Sequence, residues 1–96
     1  FVFGAVSSGI PRAWAAADER PGVSLLPDLS QATVGAIGAA VKEVKRTGAV
    51  ASLHWGGNWG YQVTQSQREF AHWLIDDAGI DMVHGHSSHH VKGIEV

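Results

Sequence analysis

Ala49-Val50-Ala51-Ser52-Leu53-His54 decides the fold: a short apolar run that follows the helix stop at Thr47-Gly48 and ends on a histidine. Asp81-Met82-Val83-His84 repeats the plan further on. Between the two lies a helix signal. Thr64 with Gln67 three residues later has the form of a capping box, Phe70, Ala71, Leu74, Ile75 and Ala78 make an apolar stripe, and Gly79 closes the segment. A strand, a helix and a second strand in that order specify a crossover connection between parallel strands.

Upstream the pattern recurs. Ser30 is a good N-cap, and Val34, Ile37, Val41 and Val44 fall on one helix face, with Lys42, Lys45 and Arg46 near the negative end of a helix stopping at Thr47-Gly48. Phe1 to Val6 reads as a buried strand that Ser7 to Pro11 breaks. Residues 12–29 hold two of the three prolines and are expected to be mostly loop, with one helical turn around Trp14 to Ala17. Downstream, Gly85 to His90 is expected as a loop and Val91 to Val96 as the start of another strand. The fold class that follows is α/β, a mainly parallel sheet with crossover helices. In such sheets the loops leaving the strand C-termini line the ligand crevice, which places His54 and His84 at one rim.

Ninety-six residues allow a single domain. A chain this short buries only about 60–68% of its unfolded surface, so its stability is marginal. With 45% hydrophobic and 17% charged residues the composition is globular. A net charge of −2 offers no basic field for nucleic acid. The absence of Cys removes disulfides and thiolate chemistry. No stretch approaches the roughly 20 apolar residues that cross a bilayer. The lack of an initiator Met and the end on Glu95-Val96 are read as the mark of a piece cut from a longer chain, with any export signal or anchor outside it.

The chemistry sits in histidines. Four of the six, His84, His86, His89 and His90, fall within seven positions. Neutral imidazoles are common ligands of first-row divalent metals, and a loop with Gly85, Ser87 and Ser88 between them can turn several nitrogens to one point. The site expected is His54, His86 and His89 on a metal; a solvated, backbone-bonded His loop is the plain alternative. His84 and His90 are candidates to support a ligand or donate a proton, with His86 and His90 the expected catalytic residues. His72, inside the second helix, is read as a surface or packing residue.

The loop Trp55-Gly56-Gly57-Asn58-Trp59-Gly60-Tyr61 joins three aromatics to three glycines, so backbone can approach a ligand while rings wall a pocket. Trp55, Asn58 and Trp59 are the substrate-binding candidates; packing in the core is the alternative for both tryptophans. No carboxylate pair has glycosidase placement, and no Gly-x-Ser-x-Gly elbow supports a serine nucleophile.

Ser52-Leu53-His54-Trp55-Gly56, then Asp76-Asp77-Ala78-Gly79-Ile80-Asp81-Met82-Val83-His84-Gly85-His86-Ser87-Ser88-His89, then Ile94-Glu95-Val96, closely resembles the C-terminal part of CapA-type capsule and poly-γ-glutamate synthesis proteins of the calcineurin-like metallophosphoesterase superfamily. The likeness continues upstream through Gly9-Ile10-Pro11-Arg12-Ala13-Trp14-Ala15-Ala16 and Arg20-Pro21-Gly22-Val23, so it covers nearly the whole chain.

The resemblance implies that residues 1–96 are the C-terminal fragment of one such domain, whose complete form is layered α/β/β/α. It implies a two-metal phosphoesterase site using Mn, Zn or Fe, acting on a phosphoester or an anionic polymer. His54 matches the lone His after a mid-chain strand, and His86 with His89 the ligands of a final Gly-His motif. One extra residue separates this motif from the usual Gly-His-x-His, which leaves His89 and His90 as alternatives. The superfamily's Asp-x-His, bridging Asp and Asn-His have no counterpart here, so the upstream half of the domain is the expected partner. The fragment alone is expected to bind metal weakly and not turn over. Membrane-associated capsule machinery at the cell envelope is the implied setting, and a non-catalytic component of polymer synthesis or export is the alternative.

Overall fold

The computed structural model describes residues 2–5, 10–44 and 47–96. Strand β1 is Val2–Ala5, a 3-10 turn is Arg12–Trp14, β2 is Leu25–Leu26, α1 is Gln31–Val44, β3 is Val50–His54, α2 is Gln65–Asp76 and β4 is Met82–His86. The four strands form one sheet in the order β2-β1-β3-β4, and every pairing is parallel. The α/β class with a parallel sheet and crossover helices is therefore the fold.

The helices start where their caps allow. At α1 the Ser30 hydroxyl accepts from the Thr33 amide at 3.3 Å, while the Asp28 carboxylate accepts from the Ser30 amide at 3.0 Å and from the Thr33 hydroxyl at 2.6 Å. At α2 the capping box is complete: Thr64 Oγ1 accepts from the Gln67 amide at 3.3 Å and Gln67 Oε1 accepts from the Thr64 amide at 3.1 Å. Gly79 takes φ +74, a left-handed conformation that costs a glycine little.

From β1 to β3 to β4 the chain steps across the sheet in one direction. Right-handed crossovers that step the same way put their helices on the same face, and α1 does pack against α2. Strand alternation then divides the residues. Ala51 and Leu53, both fully buried, face the helices with Phe3, and they meet Val34, Ile37, Val41, Phe70 and Leu74 in the core. The intervening residues, Val50, Ser52 and His54 on β3 and Met82, His84 and His86 on β4, share the other face. No described helix lies over that face, and Val50 and Met82 are 46% and 60% exposed.

Several boundaries differ from expectation, each for a local reason. Strand β4 runs on through His86, because Gly85 and His86 pair with Leu53 and His54. The stretch 12–29 is mostly loop, as expected, with short ordered pieces inside it. Pro11, at φ −63, starts the 3-10 turn upstream of Trp14, bridges join Ala15 to Val23 and Ala17 to Arg20, and β2 pairs with β1. Residues 91–96 form no strand; the Glu95 carboxylate instead accepts from Arg68 at 3.1 Å and lies 2.8 Å from His72 Nε2, which holds the segment against α2. Val44 and Ile75, expected in the apolar stripes, are 60% and 45% exposed, since each lies at the rim of its helix face. The expectations for Phe1, Val6, Ser7 to Gly9, Lys45 and Arg46 fall outside the described residues. Among the described residues no helix is long and apolar enough to cross a membrane.

Candidate functional site

The parallel register of β3 and β4 builds the site. It sets Ser52 beside His84 and His54 beside His86, and a parallel pair presents register partners on the same face. The rings of His54 and His86 are 5.2 Å apart, edge to face at 65°. His84 stacks on His86 at 5.8 Å and 21°. Three imidazoles thus share the helix-free face at the C-terminal ends of adjacent strands.

Ser52 organises them: its Oγ lies 3.3 Å from Nδ1 of His84 and 3.3 Å from Nδ1 of His86. Engaging Nδ1 orients the rings and leaves Nε2 of His86 as the nitrogen not bonded to Ser52. Partial burial, reinforced by neighbouring His54 and then His84, lowers the His86 pKa below its ordinary 6.5. The shift favours the neutral form of His86, the form that donates a lone pair. Ser52 was missed in the sequence, although strand alternation puts the residue two before His54 on the same face.

Beyond the strands the two loops are sewn together. The Trp55 amide donates to the His86 carbonyl at 3.1 Å, the Ser87 hydroxyl donates to the Trp55 carbonyl, and the His89 amide donates to the Asn58 carbonyl at 3.0 Å. Ser87 has φ +110, a region L-residues rarely adopt, and its hydroxyl bonds are what hold it there. The His89 ring lies 5.3 Å from Trp59, and His90 sits between Trp59 at 6.2 Å and Tyr61 at 4.5 Å. Nδ1 of His90 is 2.9 Å from the Val91 carbonyl, which can only accept, so that nitrogen carries the proton.

Of the expected ligands, the structure brings His54 and His86 together and sets His89 in the aromatic cluster with Trp59. Of the expected catalytic pair, His86 is in the imidazole group and His90 in the aromatic cluster. Trp59 and Asn58 are exposed on the loop rim. Trp55 turns to the opposite face, packing on fully buried Phe70 with ring centres 6.2 Å apart; its contacts are those of the packing alternative.

The donor chemistry tests the implied metal. Imidazole suits Zn or Fe, whereas Mn favours oxygen donors, and His54 with His86 supplies two imidazole donors. Among the described residues no group of three or more His, Asp or Glu side chains is close enough to hold an ion. Two imidazoles are fewer donors than a bound ion needs, so the described residues do not by themselves make a complete metal site.

Comparison with known proteins places this geometry in a lineage. The sequence pattern of the family described as bacterial capsule synthesis protein PGA_cap matches residues 2–96. Probable polyglutamine synthesis accessory proteins from two strains of Mycobacterium tuberculosis are each 54% identical over 95 residues, which cover 96% of this chain and 25% of the relative. The chain thus spans about a quarter of the length of the curated relatives it matches. No solved structure matches it.

Proposed function

The chain belongs to the bacterial capsule synthesis protein family PGA_cap, and from that premise we propose that it supplies part of the site of a metal-dependent, phosphoesterase-like hydrolase serving capsular polyglutamate synthesis. The observation that carries the reading is the register pair His54 and His86, with rings 5.2 Å apart on the face that no described helix covers. His86, oriented through Nδ1 by Ser52, and His54 are the two ligands this segment contributes; His89 or His90 joins them if the loop turns inward. The remaining donors and the layer over the sheet come from elsewhere in the longer protein, as the upstream half of the domain. His54 and His86 would help hold a divalent ion, which would contribute Lewis acidity toward a phosphoryl or amide oxygen. The substrate is a phosphoester or an anionic polymer.

The test uses the full-length protein loaded with Mn²⁺ or Zn²⁺. His86→Ala and His54→Ala should each lower bound metal measured by elemental analysis and cut hydrolysis of a bis-p-nitrophenyl phosphate probe at least 100-fold. The isolated segment should bind metal no tighter than about millimolar. Full metal content and unchanged turnover in both variants refutes the reading. A second reading, a non-catalytic component of polymer synthesis or export, draws on the word "accessory" in the names of the mycobacterial relatives. It predicts metal-independent polymer production in cells carrying His86→Ala.

A further inference from the structure

Ser52 meets two imidazoles with one hydroxyl. Its Oγ lies 3.3 Å from Nδ1 of His84 and 3.3 Å from Nδ1 of His86, and no other partner of that hydroxyl stands among the described residues. The strand register explains the meeting. Ser52 is the register partner of His84, and His86 follows two residues on, so alternation puts all three side chains on the helix-free face. The two rings lie nearly parallel, at 21° with centres 5.8 Å apart.

One hydroxyl cannot serve both rings in the same way. It has a single proton to donate and two lone pairs with which to accept, whereas a neutral imidazole has a proton on one nitrogen and a lone pair on the other. The two Nδ1 atoms therefore cannot both accept from Oγ. Were both to donate, the hydroxyl proton would have no acceptor among the described residues, in a part-buried contact where an unmade bond is costly. One arrangement uses every group: one Nδ1–H donates to Oγ, and Oγ–H donates to the other Nδ1. The ring that donates through Nδ1 has its lone pair at Nε2, and the ring that accepts there has its proton at Nε2. Neither Nε2 has a hydrogen-bond partner among the described residues, so both remain available to a ligand.

We propose that Ser52 couples His84 and His86 in opposite tautomers, so that this face offers one Nε2–H donor beside one Nε2 acceptor. The coupling itself follows from the geometry. Which ring plays which part rests on the proposed function. With His86 as an ion ligand its Nε2 has the lone pair, so its Nδ1–H donates to Ser52, Ser52 donates to His84, and His84 presents Nε2–H. His84 then donates a hydrogen bond to a phosphoryl or carboxyl oxygen of the substrate held beside His86.

The experiment is nitrogen NMR of the full-length protein carrying isotope-labelled histidine, with EDTA present and at about pH 8.5, above the ordinary imidazole range. The two rings are assigned through His84→Gln and His86→Gln. One ring should be bare at Nδ1 and the other at Nε2. Ser52→Thr keeps the hydroxyl and should keep this pattern, while Ser52→Ala should abolish it. The same tautomer in both rings of the native protein overturns the proposal, as does an opposite pattern that survives Ser52→Ala. Zn²⁺ is then added. Uptake at Nε2 of His86 should leave His84 protonated at Nε2, and a bare Nε2 on His84 in the loaded protein overturns its assignment as donor. Failure to take up Zn²⁺ sinks the metal reading and that assignment together, whereas the metal-free spectrum still decides the coupling.

Discussion

Gly85 gives the sharpest test of how the site is built. It pairs with Leu53 on the helix-facing side of β4, and the Trp55 indole lies across it. A β-carbon there would stand 2.5 Å from Trp55 Nε1 and 3.3 Å from Cε2. Ordinary contact between heavy atoms is about 3.5–4.0 Å, so the indole must retreat by roughly 1 Å. It is backed by Phe70, which is fully buried and cannot yield. Overpacking of this kind costs about 1–3 kcal/mol. Since β4 lies at the edge of the sheet formed by the described strands and Trp55 is only partly buried, Gly85→Ala should fall in the lower half of that range, near 1–2 kcal/mol. The assay is urea unfolding followed by tryptophan emission, with the midpoint falling at unchanged slope. In Trp55→Phe the smaller ring leaves room, so the double variant should recover part of the loss, with a coupling of at least about 0.5 kcal/mol. A Gly85→Ala loss below about 0.5 kcal/mol, or strict additivity with Trp55→Phe, would refute the packing described.

Other consequences are simpler to measure. Gly35 lies on the exposed side of α1, and a methyl group added there would meet nothing within 4 Å, so Gly35→Ala should stabilise the protein by about 0.5–1 kcal/mol in the same unfolding assay. Thr64→Ala removes the cap of α2 and should cost about 0.5–2 kcal/mol, with faster amide exchange in the first turn. Hydrogen bonds from the Ser30 hydroxyl, the Thr33 hydroxyl and the Ser30 amide hold the Asp28 carboxyl below its ordinary 3.8. The stability this provides is present above that value and is lost as pH falls through the folded pKa; Asp28→Asn should flatten the acid limb there. For His86 the folded pKa is also lowered, so the unfolded chain takes up the proton first and stability declines as pH drops below about 6.5, a slope that His86→Gln should remove.

Much of the architecture was legible because periodicity and caps are local. Thr64 and Gln67 announce α2, Val34, Ile37 and Val41 announce the buried face of α1, and β3 and β4 follow from short apolar runs after helix stops. Strand β2 was not legible, because two leucines between prolines carry no period and become a strand only through pairing with β1. The extension of β4 through Gly85 and His86 was hidden for the same reason: a Gly-His pair has loop composition, and the neighbouring strand decides otherwise. In the site, the meeting of His54 with His86 was readable from crossover topology. The separation of His89 and His90 into the cluster with Trp59 and Tyr61 was not, since it depends on the turn at Ser87. Likewise the role of Trp55 turns on which way one ring faces, and spacing does not settle that at a strand end.

The alternation of Leu53 with His54 ties chemistry to solubility. Adding or deleting one residue in β3 would turn the imidazole into the oily interior and expose the leucine in the same stroke, disabling reactivity and cohesion together. Among descendants of this sequence, length changes should therefore accumulate at the connections and leave the count of residues between Val50 and His54 untouched.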